Sequence, residues 1–387
     1  QHVTCLNNQF FSGYQVNIDK STGLTYFDDL VRFENVVVTF NGHQLELPAN
    51  STLYMHDGVL NSCVLHGNGP TSVFHGEGVF DVDAPESESS TFEDIRFTGE
   101  HLFESNCALY GATINDGSIQ NNYYSYSTEV YGELINNGTL RNYVNHLTIK
   151  LYGDLVNNGI IDNHAIDLYG TGNQFITLQT GKQLSPTFVT SFKPAGKIIS
   201  NSSLYFNDTK LNLSGDTLEM PAGSTLSILG QYLTNSAVFP AGISKNVSFA
   251  LNMGNEAYLQ GTNIHDAQLT GTIDINSNNT FHGTITNNGI LRNDYYTYSL
   301  NIFGSMVNND TIQNYVNYLY LYISGNVINN GVWINNFTQL NGTSDQFVTI
   351  RNNHPIDGQT RYMSNTTGSP YQWYWNGSPM PASPDYS

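Results

Sequence analysis

The feature that most constrains this chain is a repeat of 21 residues. Residues 134–142 read LINNGTLRN. A shift of 21 forward gives LVNNGIIDN at 155–163, and the same shift back gives TINDGSIQN at 113–121. The second half repeats the pattern as ITNNGILRN (285–293), MVNNDTIQN (306–314) and VINNGVWIN (327–335). The two triplets are related by a longer shift: Asn137 and Asn309 stand 172 positions apart, as do Gln174 and Gln346. A self-similar period of this size has to be read before anything else, because it decides the fold.

Aligned, the six copies fall into columns. One is Asn throughout: Asn115, Asn136, Asn157, Asn287, Asn308 and Asn329. The next is Asp116, then Asn137, Asn158, Asn288, Asn309 and Asn330. Gly follows in every copy but one, where Asp310 stands. A large apolar column comes two residues on, from Ile119 to Trp333. Two further on, Asn recurs as Asn121, Asn142, Asn163, Asn293, Asn314 and Asn335. Upstream lie an all-Gly column (Gly111, Gly132, Gly153, Gly283, Gly304, Gly325) and, before it, Tyr110, Tyr131, Tyr152, His282, Phe303 and Ser324.

A period this short is too small for a helical hairpin and suits one coil of a β-solenoid. Short alternating apolar runs ending in Asn-Asn-Gly read as strands followed by turns that call for positive φ. Stacked coils place each column over itself at about 4.8 Å, which explains why the same residue returns. At that spacing one Asn amide donates to the next, so both all-Asn columns are expected to form ladders. The expected fold is therefore all-β: a parallel β-helix, taken as right-handed, of about 16 coils and roughly 75–80 Å. Its parts are an N-terminal cap at 1–20, a block at 21–190, a second block at 191–358, and a tail at 359–387.

Composition excludes some functions. Thirteen Lys and Arg face 32 Asp and Glu, for a net charge of −19. That sign opposes nucleic-acid binding and anionic membranes. No run approaches the ~20 apolar residues of a membrane span. The chain opens on Gln1 with no charged-plus-apolar leader, so a processed, secreted form is expected. Cys5, Cys63 and Cys107 permit at most one internal disulfide and have no metal-site spacing.

Two groups of residues are candidates for function. The run FHGEGVFDVD and its continuation carry Asp81, Asp83 and Glu86, whose oxygens could hold Ca²⁺ or act as general acid and base. The opposing reading is a solvated acidic loop leaving the solenoid. Tyr123, Tyr124 and Tyr126 return as Tyr295, Tyr296 and Tyr298, a set that could stack on sugar rings or pack against the next coil. The histidines show no ligand pattern, since His146 aligns with Tyr318 and His282 with Tyr110. No further cofactor is implied.

The Asn-Asn-Gly rungs, the duplication and the tail string YQWYWNGSPMPASPDYS together resemble repeat-rich secreted surface proteins of Bacteroidota. The tail is similar to the opening strands of an immunoglobulin-like module. The resemblance implies export by the type IX route, cell-surface attachment or release, and a larger parent chain. It also implies O-glycosylation at Thr217 and Thr311, each preceded by Asp and followed by an apolar residue. A non-catalytic structural or adhesive surface protein is the expected function, with extracellular glycans, other surfaces or its own copies as partners. A carbohydrate-binding module and a polysaccharide lyase or hydrolase are the alternatives.

Overall fold

The computed structural model describes residues 2–5, 9–18, 22–40, 43–61, 64–69, 71–83, 90–121, 124–240, 249–254 and 257–351, and the strands at 356–362, 374–375 and 378–379. Among them there is no helix. The strands form the expected β-solenoid, with about 15 coils in parallel register. Asn136 lies over Asn115 and under Asn157, as the repeat demands.

Each coil has three faces. On the first, Tyr126–Val130, Leu147–Leu151 and Ala165–Leu168 stack in turn. This file continues upward to Ile290–Asn293 and Thr311–Gln313. The second face carries Glu133–Asn136, Leu155–Asn157 and Gln174–Leu178, then climbs to Tyr298–Asn308 (its first half) and Leu319–Ile323. The third carries Thr139–Arg141 and Ile160–Asp162, and ends in the later half of Tyr298–Asn308 and Val327–Asn329.

These files show how the two blocks are related. Tyr126–Val130 lies on the first face, and its counterpart 172 residues later lies on the second. Glu133–Asn136 moves from the second face to the third, and Thr139–Arg141 from the third to the first. The duplication therefore advances the chain by eight coils and one face. Coil length is not constant, running from 16 residues between Leu259 and Ile275 to 27 between Leu65 and Phe92.

The core is built from inward-facing side chains of all three faces. Leu147, Ile149 and Leu151 are buried, with the residues between them half-exposed. A side chain of that size gains about 1.5–3 kcal/mol from burial. Toward the N-terminus the filling is aromatic: Phe92 meets Phe97 edge-on at 5.3 Å and lies parallel to Phe103 at 6.2 Å. In the last Asn-Asn-Gly coil Trp333 fills the apolar column, and its indole N–H donates to Asn335 Oδ1 at 2.7 Å.

The first Asn column is a buried ladder. Asn115 Nδ2 donates to Asn136 Oδ1 at 2.7 Å, and Asn136 Nδ2 to Asn157 Oδ1 at 2.8 Å. The second block repeats this from Asn287 to Asn308 and from Asn308 to Asn329, each at 2.8 Å. The second hydrogen of each amide finds a backbone carbonyl of the coil above: Thr139 O, Ile160 O, Thr311 O and Val332 O. Beside it runs an outer ladder that donates the opposite way, from Asn158 to Asn137 and from Asn137 to Asp116 at 2.7 and 2.6 Å. At the foot of that ladder only an acceptor is needed, so Asp116 suffices there, and Arg96 pairs with it.

Two expectations need correction. The Asn-Asn-Gly glycines do not adopt positive φ; of the repeat glycines, Gly111 and Gly283 do. The corner needs glycine because its backbone lies so close to the coil below. A Cβ on Gly138 would stand 1.9 Å from Gly117 O, and one on Gly159 2.0 Å from Gly138 O. The other all-Asn column, from Asn121 to Asn335, is not an amide-to-amide ladder either. Its side chains bind backbone groups of their own corner and of the coil above instead of one another.

The ends differ from the sequence reading in detail. His2–Val3, Phe11–Ser12 and Gln15–Asn17 are in parallel register with the next coil, so the cap is itself a coil. Ile356–Tyr362 continues the stack across the expected block boundary, and Tyr374–Trp375 pairs antiparallel with Ser378–Pro379. The remainder of the tail, and Cys63, lie outside the described residues. Cys5 is a free thiol, and Cys107 is buried.

Two stability predictions follow from this geometry. Asn136→Leu strands the buried amide of Asn115 and the carbonyls around Asn157, at about 1–3 kcal/mol for each lost partner. Asn137→Ala, in the outer ladder, should cost about 1 kcal/mol. Urea unfolding midpoints should fall well apart, and equal shifts would refute the buried-ladder account. Gly138→Ala should lower the midpoint far more than Gly181→Ala. The latter has φ +79 but open space around its Cβ position, and thus only the ~1 kcal/mol conformational cost.

Candidate functional site: the duplicated aromatic corners

The irregular Asn column builds the most distinctive surface of the molecule. It lies at the corner between Ser118–Asn121 and Tyr126–Val130. Asn121 Nδ2 donates to Tyr124 O at 2.8 Å, and its Oδ1 accepts Tyr143 N from the coil above at 2.9 Å. In the second block Asn293 Nδ2 donates to Tyr296 O at 2.9 Å, and its Oδ1 accepts Tyr315 N at 2.8 Å. One coil up, Asn142 Oδ1 accepts Leu147 N and His164 N, as Asn314 accepts Leu319 N and Asn336 N. Above these, Asn163 donates to Leu147 O and Ala165 O, and Asn335 to Leu319 O and Phe337 O. The same clasps are made twice, on residues 172 apart.

Clasped loops hold their rings outward. Tyr124 is 71% exposed, Tyr296 62%, Tyr143 57% and Tyr315 59%. Tyr295, Val144 and Val316 are also exposed. Other large side chains are exposed as well, Ile160, Phe303 and Phe347 among them, but at these corners several gather beside buried amides that fix the backbone. Tyr124 meets Tyr126 edge-on at 6.3 Å, and Tyr296 meets Tyr298 in the same way at 6.4 Å. Tyr126 and Tyr298 begin strands and are half-buried, Tyr298 packing against the core. Tyr123 lies outside the described residues. In the second corner the Arg292 guanidinium covers one side of Tyr315 at 4.5 Å. Tyr143, Val144, Tyr315 and Val316 were not singled out from sequence, although the matching strings RNYVNHL and QNYVNYL carried the signal.

A second aromatic surface runs along the first face. Tyr110, Tyr131, Tyr152, Tyr169 and Phe192 stack at 4.7, 4.6, 5.2 and 5.3 Å. Here the ring faces are occupied by one another, so only their edges meet solvent. Beside this file Lys150 bridges to Glu129 at 3.0 Å, and the Tyr131 hydroxyl donates to the same carboxylate at 2.5 Å. The Tyr131 hydrogen bond, followed by Lys150, lowers the Glu129 pKa. Burial raises that of Asp167, two coils above. These groups lie on an open sheet face, and two open depressions lie elsewhere, beside Asp162, Lys182 and Asp208 and beside Ser214, Asn235 and Asn263.

The acidic candidates fall differently from the sequence reading. Asp81 and Asp83 do not lie in a loop: they end the strand Val73–Asp83, in register with Val59 and Asn61 of the coil below. The alternation of FDVD suits a rung, and this strand rejoins the stack after a register shift. Glu86 lies outside the described residues. Among the described residues no three His, Cys, Asp or Glu side chains gather as metal ligands. Thr217 opens a strand of the second face and Thr311 one of the first; the Thr311 hydroxyl donates to Asp310 at 3.0 Å. No described helix is long and apolar enough to cross a membrane.

Comparison with protein families, with curated proteins and with solved structures finds no match to this chain.

Histidine replaces tyrosine or phenylalanine in the outer stack at His282, beside His265, and another, His101, is buried against Phe74 and Phe97. His265 and His282 stack at 4.3 Å. Burial, then the charge of His282, lowers the His265 pKa from 6.5 to about 4. Burial does the same to His101, again to about 4. Between pH 6.5 and about 4 the unfolded chain binds more protons than the folded one at both residues. Their contribution to stability is therefore complete above pH 6.5 and is lost as pH falls toward 4. His265→Phe keeps a ring in the stack and should flatten the acid limb of a plot of melting temperature against pH. An unchanged limb would contradict this assignment.

Proposed function

We propose that this chain is a stiff, non-catalytic extracellular rod that adheres through its two aromatic corners, and that the corners bind neutral polysaccharide. One observation carries the reading: the same outward-facing tyrosine cluster is built twice, held each time by the same buried Asn clasps. Tyrosine offers a flat apolar face with a polar tip and has little conformational freedom to lose. Both properties suit the CH-bearing face and hydroxyl rim of a sugar ring. The net charge of −19 disfavours an anionic polymer. Secretion and display at a cell surface belong to this proposal, supported by the likeness in sequence style to repeat-rich surface proteins.

The reading is tested by affinity electrophoresis on a panel of neutral and acidic polysaccharides. Retardation by a neutral polymer is expected. The double variant Tyr124→Ala/Tyr143→Ala, and its counterpart Tyr296→Ala/Tyr315→Ala, should each weaken binding about tenfold, equivalent to roughly 1.4 kcal/mol. Because these rings are exposed, the melting temperature should not move. Migration unaffected by every polymer, or by both double variants, would dismiss the corners as the binding site.

A further inference from the structure

The outer Asn ladder contains four Asn-Gly pairs, at Asn137, Asn158, Asn288 and Asn330. Asn-Gly is the pair most open to self-modification. The backbone nitrogen of glycine attacks the side-chain Cγ and expels Nδ2 as ammonia. The resulting cyclic imide takes up water to give aspartate or isoaspartate. The reaction needs a polarised carbonyl, a nitrogen free to leave and access to water.

The ladder distributes these requirements unequally. Asn137 Nδ2 is held by Asp116 at 2.6 Å, and Gly138 N is tied to Asn115 O at 2.9 Å. Asn158 Nδ2 donates to Asn137, and Asn330 Nδ2 to Asn309, each at 2.7 Å. The Asn330 Oδ1 is buried with no donor to polarise it. Asn288 stands at the foot of the second ladder and is exposed. Its Oδ1 accepts Asn309 Nδ2 at 2.7 Å, which draws electrons from Cγ, while its own Nδ2 donates to no described residue. Gly289 N makes a long bond of 3.4 Å to Asn287 Oδ1, as Gly331 N does to Asn329 Oδ1 and Gly159 N at 3.3 Å to Asn157 Oδ1, so the glycine nitrogen sets only Asn137 apart, and the free Nδ2 with the polarised Oδ1 singles out Asn288.

We infer that Asn288 is a site of spontaneous deamidation in the folded protein, and that aspartate is the product the fold accepts. The first block already shows that product in place: Asp116, 172 positions earlier, is a carboxylate at the ladder foot receiving the amide of the next Asn. An isoaspartate would add a backbone methylene where a Cβ on Gly289 already comes within 2.3 Å of Gly271 O.

The test is to age the native full chain at mildly alkaline pH and physiological temperature and map deamidated peptides by mass spectrometry. Conversion at Asn288 should outpace Asn137, Asn158 and Asn330 by about tenfold, the effect of roughly 1.4 kcal/mol on a barrier. In strong denaturant all four should react alike. Asn309→Leu, which removes the polarising donor, should slow Asn288 in the native state. N288D should fold with an unchanged melting temperature. Equal native rates at the four sites, a different leading site, or a rate at Asn288 indifferent to Asn309→Leu would overturn the assignment.

Discussion

Everything in this molecule answers to one distance, the ~4.8 Å between neighbouring strands of a sheet. A residue on one coil must be compatible with its own counterpart directly above. An amide satisfies that condition well, since it donates on one side and accepts on the other. The buried ladder from Asn115 to Asn157 uses all of its hydrogen-bonding groups, including the second N–H that reaches a carbonyl of the coil above. Glycine meets the same condition by having nothing to place in the gap. Leu and Ile meet it by filling the space between coils.

The paired ladders also bear on electrostatics. The buried column donates toward the C-terminal end and the outer column toward the N-terminal end. Side by side, their amide dipoles oppose, so neither end of the rod accumulates partial charge from them. The two columns differ in what ends them. The buried column stops at Asn157, whose Nδ2 turns to Gln183 O. The outer one rests on a carboxylate held by arginine.

Much of this was legible in the chain itself. Columns of identical residues at a fixed spacing leave few folds other than stacked coils, and Asn157 over Asn136 is readable directly. Three things were not. The Asn-Asn-Gly string is the same whether glycine is there for its φ or for the closeness of Gly117 O, and only coordinates separate the two. Asn121 and Asn136 recur with equal regularity, yet one binds backbone groups at its corner and the other the amide of its own counterpart, and the repeat is the same for both. The candidate site was half-visible: the tyrosines before the first strand stood out, while Tyr143 and Tyr315 were hidden inside a match taken only as proof of duplication. The acidic run read as a loop for want of the Asn-Asn-Gly signal, although its alternation is that of a strand.

The offset between the blocks makes the gene duplication a screw operation. The two Asn ladders stand on different edges, so neither can extend into the other. The intervening coils, without Asn-Asn-Gly, serve as the splice where each column changes its partners. Copying a length of such a chain need not respect whole coils. It needs only to match one flank of the prism to the next, and a chain lengthened by the same step would carry its tyrosine clusters around the axis like the thread of a bolt.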